Sequence, residues 1–282
     1  MENIGETFTE LRKSKGLTIG AVAKGICSPS LVWGFENDRR EIGYKKLYQL
    51  IAKISISLNE LRHAANKYIL DDFGALMQEV SKRYIIGDVE GLKKLLLKEQ
   101  KENKNKPFTH NLTCLMIKFM LSNIDTETEF SDSEKEQIAS YLFKAERWSY
   151  YELTLFGNTI NIFTHATLTQ LSNEVISRTR YYHALPENKK LVTEVLLNVM
   201  ACFIQMEDFE NAIRLKKEIE QLLEERHLLR KTIFLFMKGA LDFSMGEQES
   251  GAEKMLAAIS VFETLESMEL AAFYRGMYES FM

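Results

Sequence analysis

Three prolines and 14 glycines in 282 residues leave long stretches of this chain with nothing to interrupt a helix. Proline lacks the N–H that a helix interior needs, and glycine loses the most backbone entropy when fixed there. β-branched alternation of the kind that marks strands is hard to find, so an all-α fold is expected. The length suits a small domain joined to a larger one.

The first 66 residues read as five short helices. Ile4, Phe8 and Leu11 fall at helical spacing, predicting a helix over Ile4–Ser14 that stops before Gly16. Thr18 can cap a second helix that buries Ile19, Val22 and Ala23 and ends at Gly25. Ser28 then reads as an N-cap with Pro29 at the first helical position, opening a third helix through Glu36 with Leu31 and Phe35 as its anchors. After a turn at Asn37-Asp38, Ile42, Leu47, Leu50 and Ile51 mark a fourth helix, and Asn59–Asn66 supplies a fifth. The short turn between the second and third describes a helix-turn-helix domain over residues 1–66.

The pattern Leu11-Arg12…Ala23…Ser28…Phe35-Glu36…Ile42 resembles the phage-repressor/Cro type of DNA-binding domain (XRE). More narrowly, Cys27–Ile42 resembles the same stretch of the Rgg/MutR/GadR regulators and their PrgX-like relatives. The resemblance implies a third helix in the major groove of a double-stranded operator, with Ser28, Ser30 and Trp33 as readers. It places Arg12, Lys13, Lys15, Arg39 and Arg40 where phosphate contacts set register, although each is equally a candidate for plain solvation. Two positions depart from the family. Gly34 stands where a basic residue commonly precedes the Phe-Glu pair, and Gly43-Tyr44 stands where several relatives carry a cysteine that bridges the dimer.

Residues 67–282 read as one helix after another. Tyr68–Ile86 is expected as a connecting helix with Ile69, Phe73, Leu76 and Val80 on one face. Loops are expected at Lys98–Pro107, Asp125–Ser133, Leu185–Asn188 and Gly246–Gly251. A degenerate repeat links Tyr84–Leu96, Ile204–Lys216 and Phe243–Leu256, aligning Asp88 with Asp208 and Ala212 with Ala252. A short acidic or glycine turn between paired helices belongs to the tetratricopeptide-like class, which stacks into a solenoid with a concave face. The family resemblance implies that this domain binds a short pheromone peptide in quorum sensing and forms a homodimer.

An extended peptide needs its backbone hydrogen-bonded, and asparagine offers both donor and acceptor. Asn158, Asn161 and Asn198 sit in otherwise apolar helices, Asn198 most conspicuously, within Val195–Met200. Arg147 and Trp148 are further candidates for peptide contact. Met255–Phe262 and Leu270–Met282 are apolar enough to supply a dimer interface or to cap the solenoid.

Charge divides along the same line. Residues 1–66 hold ten Lys and Arg against seven Asp and Glu, whereas the whole chain is at −4. A basic N-terminal region on an acidic remainder suits a DNA-binding module attached to something else. Glu2 stands where a signal peptide needs an apolar run, no apolar stretch approaches a membrane span, and the three cysteines are scattered. A cytoplasmic protein without disulfides is expected.

No metal motif, P-loop, G-x-G-x-x-G or G-x-S-x-G is present, and the five histidines are isolated, so neither cofactor nor catalysis is expected. The reading is a peptide-controlled transcription regulator, with contacts to RNA polymerase as one route of action. The competing reading is a helical-repeat adaptor whose N-terminal domain binds protein.

Overall fold

A computed structural model describes residues 4–65, 72–101, 108–179 and 186–282, and among them the chain is all-α. Helices α1 (Ile4–Ser14), α2 (Ile19–Ala23), α3 (Pro29–Glu36), α4 (Tyr44–Lys53) and α5 (Leu58–Ala65) form the N-terminal bundle. Their ends lie where local chemistry puts them. Gly16 and Gly25 adopt left-handed φ values of 68° and 80° after α1 and α2. The Thr18 hydroxyl accepts from Ala21 N, and the Ser28 hydroxyl accepts from Leu31 N.

The bundle closes over Phe8, Val22, Ala23, Val32, Leu50, Ile51, Ile54 and Leu61, with Phe35 tilted against Phe8 at 5.8 Å. Val32, not Leu31, is the second anchor of α3; Leu31 is only half-buried. In so short a helix, a one-residue error in phase exchanges a core position for a flanking one.

α6 (Asp72–Ile85) follows, burying Met77 and Val80. The start of the connecting helix expected from Tyr68, including Ile69, lies outside the described residues, as does the expected junction at 66/67. The chain separates into two compact units, Met1–Ile86 and Gly87–Met282.

The second unit comprises α7 (Val89–Lys101), α8 (His110–Ser122), α9 (Asp132–Lys144), α10 (Tyr150–Thr159), a 3-10 turn (Ile160–Ile162), α11 (His165–Arg178), α12 (Pro186–Gln205), α13 (Phe209–Leu222), α14 (Leu228–Ser244), α15 (Gln248–Thr264) and α16 (Met268–Glu279). Lys98–Lys101, expected as loop, continue α7, and residues 102–107 lie outside the described ones. The loop expected around Asp125–Ser133 ends in a capping box in which Ser131 and Glu134 satisfy each other's backbone N–H groups.

The repeat resolves into a recurring turn. Gly87, Glu207, Gly246 and Glu266 all take left-handed φ, from 55° to 99°, each one residue before the start of its next helix's cap. In three of these turns the following N–H reaches back to a carbonyl five residues earlier: Asp208 to Phe203, Glu247 to Asp242 and Ser267 to Phe262. Asp88 and Asp208 each cap the helix that follows, accepting from Gly91 N at 2.8 Å and Asn211 N at 3.1 Å.

Four residues beyond the cap, Ala212, Gly251 and Ala271 are buried. The partner of Ala212 is therefore Gly251 rather than Ala252, and the break expected over Gly246–Gly251 is confined to its first residues. Gly251 is obligatory for a steric reason: a Cβ there would lie 2.5 Å from Phe243 N, and one on Gly239 would lie 2.6 Å from Gly251 O. α14 and α15 cross with their backbones in contact.

Candidate functional site

α3 is set in place by a buried charge pair. Arg12 Nε and Nη2 donate to the two Glu36 carboxylate oxygens at 2.6 and 2.7 Å, and Nη1 donates to Leu17 O at 2.6 Å. Both side chains are under 10% exposed, and the hydrogen bonds to Glu36 hold the Arg12 guanidinium above its already high pKa. Arg12 was expected to touch phosphate. Its burial corrects that: the guanidinium is spent on joining α1 to the end of α3, and it positions the helix from beneath.

What α3 presents outward is Ser28, Ser30 and Trp33, all exposed, with the two serine hydroxyls 3.0 Å apart. Arg39 lies over the Trp33 ring at 4.9 Å, a cation–π contact. Arg40 is exposed beside it, while Lys13 and Lys15 are exposed at the end of α1. Lys15 feels the Glu60 carboxylate, whose pKa is lowered first by its hydrogen bonds to Ser57.

The sequence reading missed the start of α4. There Tyr44 and Tyr48 are more than half exposed, their rings 6.3 Å apart, with Lys45 and Lys46 between them. Two aromatics four residues apart, interleaved with lysines, were the available signal.

In the second unit, α8 packs on α10, α10 on α12 and α12 on α14, making one layer of alternate helices. Asn198 is exposed although Val195, Leu196, Leu197, Val199 and Met200 around it are buried. One turn further on, the Cys202 thiol donates to Asn161 Oδ1 at 3.6 Å, so Asn161 meets the α12 face that carries Asn198. Burial pushes that thiol's pKa up.

One turn before Asn198, Glu194 faces Arg230 of α14, with Nη1 3.6 Å from the carboxylate. The Arg230 Nε is buried without a hydrogen-bond partner. Asn158 donates to Thr154 O at 2.8 Å and keeps its carbonyl oxygen as an acceptor. The layer thus brings Asn161 and Asn198 together and adds Glu194, Cys202 and Arg230. Sequence reasoning passed over these three because nothing local says which helices become neighbours.

Arg147 is exposed near the start of α10, but Trp148 is not available to a ligand. Its indole is fully buried, donates to Leu142 O at 3.3 Å and meets Phe156 edge-on, which makes it core. Three surface depressions of about 350 to 550 Å3 gather around α7, α8 and α9; none is lined by Asn158, Asn161 or Asn198. No helix among the described residues is long and apolar enough to cross a membrane.

A helix-turn-helix unit followed by a tetratricopeptide-like helical unit defines a class: the two-domain, all-helical transcription regulators. Residues 93–276 match the C-terminal domain of the HTH-type transcriptional regulator Rgg, and the chain belongs to that family. Over 99% of its length it is similar to the Streptococcus dysgalactiae SHP pheromone receptor Rgg2, at 29% identity and a TM-score of 0.86, covering 100% of that chain. A putative transcriptional regulator from Listeria monocytogenes EGD-e shares the fold at 22% identity and a TM-score of 0.88, with 99% and 97% of the two chains covered. So does ComR from S. thermophilus, solved in complex with DNA and its signalling peptide ComS, at 14% identity and a TM-score of 0.66, with 99% of each chain covered.

Proposed function

We propose that this chain is a dimeric, cytoplasmic, sequence-specific DNA-binding regulator of transcription whose activity is set by a short signalling peptide. Residues 1–66 bind the operator and residues 67–282 sense the peptide and dimerise. The observation that carries the first half is α3 itself. It is braced from beneath by Arg12 and Glu36 and free above to offer Ser28, Ser30 and Trp33, flanked by Arg39 and Arg40. A rigid helix with exposed polar and aromatic groups and adjacent cations is what major-groove reading requires.

For the second half, the exposed amide of Asn198, with Glu194 on the same helix and Asn161 and Arg230 on neighbouring elements, supplies a polar row on an otherwise apolar layer. A peptide main chain laid along it finds donors and acceptors in turn. The similarity to receptors of the pheromone SHP and the peptide ComS supports this assignment. Two copies reading two half-sites account for a homodimer. Exposed Leu265, Met268 and Phe273 around the last two helices offer apolar surface for it. Crosslinking the tagged protein in its own cells and sequencing the recovered DNA tests the proposal. Enrichment of a palindromic site at a few promoters is expected; uniform recovery across the genome would refute it.

A further inference from the structure

We infer that Arg40, reaching back from the loop after α3, reads a guanine at the place where the recognition helix itself has only Gly34. This rests on the DNA-binding reading proposed above and adds to it a specificity-determining residue. Gly34 is not there for its conformational freedom, since positive φ among the described glycines occurs only at Gly16, Gly25, Gly87 and Gly246. What it supplies is room. A Cβ at position 34 would lie 3.0 Å from both Cγ and Cδ of Arg40 and 3.3 Å from its Cβ. The hydrocarbon stem of Arg40 therefore occupies the space into which a side chain on α3 would project.

The backbone makes this return possible. Asn37 N donates to Trp33 O at 3.2 Å, Asp38 turns the chain with φ at 56°, and the N–H groups of Arg39 and Arg40 both donate to Gly34 O, at 2.8 and 3.1 Å. Two arginines are thereby laid back along α3, one over Trp33 and one over Gly34, and both remain exposed. Neither forms an ion pair among the described residues.

A phosphate contact needs only a cation near the sugar–phosphate backbone, whereas a base contact needs the guanidinium fork held in a fixed register. Packing the stem against a glycine surface provides that register. The fork's partner in the major groove is the O6/N7 edge of guanine. The adjoining loop thus supplies the cation that α3, with no basic residue of its own, lacks.

The test is selection from a random duplex library by purified full-length protein, comparing wild type with Arg40→Ala and Arg40→Gln. Affinities are then measured on the selected site and on versions with its guanines replaced. Wild type is expected to require one guanine in each half-site, with replacement costing about 5- to 150-fold in affinity. In both variants that preference should fall below about twofold while the other selected positions persist. Arg40→Gln keeps a stem against Gly34 but not the guanidinium fork, so it should lose the guanine preference and accept adenine in its place.

The inference is overturned if both variants still select the guanine and bind all sequences more weakly by a common factor, the signature of a phosphate contact. Should Arg40→Ala lose every preference at once, Arg40→Gln decides: retained guanine selection there refutes the inference, and its specific loss upholds it. A wild-type protein that selects no sequence overturns the DNA-binding reading itself, and this inference falls with it.

Discussion

The N-terminal bundle and the helical-repeat unit are both all-α, but they hold their functional surfaces in opposite ways. In the bundle, one eight-residue helix and its adjoining loop carry the candidate base-reading groups, fixed by a buried charge pair and a small apolar core. In the second unit the candidate ligand face has no single owner: Asn161, Asn198 and Arg230 come from three elements brought together by layer packing. A local surface depends on local anchors, so one substitution can remove it. A surface assembled from several helices loses one contact at a time.

The sharpest way to break this contrast is Glu36→Ala. It leaves Arg12 charged, buried and unpaired, which typically costs about 3–5 kcal/mol. The bundle is expected to melt early while the repeat unit keeps its helices, giving two separated transitions by circular dichroism and calorimetry. One unchanged transition would show that the pair does not support α3.

Next in size is Gly251→Ala, whose Cβ would meet the α14 backbone at 2.5 Å. Overpacking of this kind costs about 1–3 kcal/mol, read as a lower denaturant midpoint for the repeat unit with operator affinity retained.

Asn198→Ala should have a smaller effect. Losing one hydrogen-bonding amide is worth about 0.5–1.5 kcal/mol, so peptide affinity by calorimetry should drop up to about tenfold while the fold stays intact. An equal loss of DNA binding would make the residue structural.

The mildest test concerns Tyr274, whose phenol is pushed up to about 12 by burial against Phe262 and Phe236. A raised folded-state pKa means that the stability gained from keeping the phenol neutral is complete below the unfolded value of about 10. It is lost as pH rises through about 12. Burial also holds the Tyr141 and Tyr151 phenols up, so absorbance titration should show several late phenolate ionisations, of which Tyr274→Phe removes one.

The same contrast explains what the sequence revealed. Thr18, Ser28 with Pro29, Gly16 and Gly25 are signals that act on their own few residues, and each ends or starts a helix where it stands. Asp88 and Asp208 are of the same kind, which is why the repeat was visible at its turns. Its registration slipped by one residue because the packing requirement at Gly251 comes from α14, not from its own helix.

Arg12 and Trp148 misled for different reasons. Arg12 becomes core because Glu36, far along the chain, receives it, whereas Trp148 is core as a large aromatic ordinarily is, its indole taken up by Leu142 O and Phe156 nearby in the chain. Asn198 was conspicuous in sequence because its neighbours are apolar, while Glu194 and Arg230 were not, since charged residues on helices are ordinarily solvated.

The central claim is that the repeat unit controls what α3 does on DNA. It is tested most directly by the anisotropy of a labelled operator titrated with the full-length protein, with and without members of a synthetic short-peptide library. The account predicts that at least one peptide shifts operator affinity, and that Asn198→Ala weakens the shift while leaving peptide-free affinity unchanged. A library in which no peptide moves the curve, or an Asn198→Ala protein that has lost peptide-free binding, would contradict it.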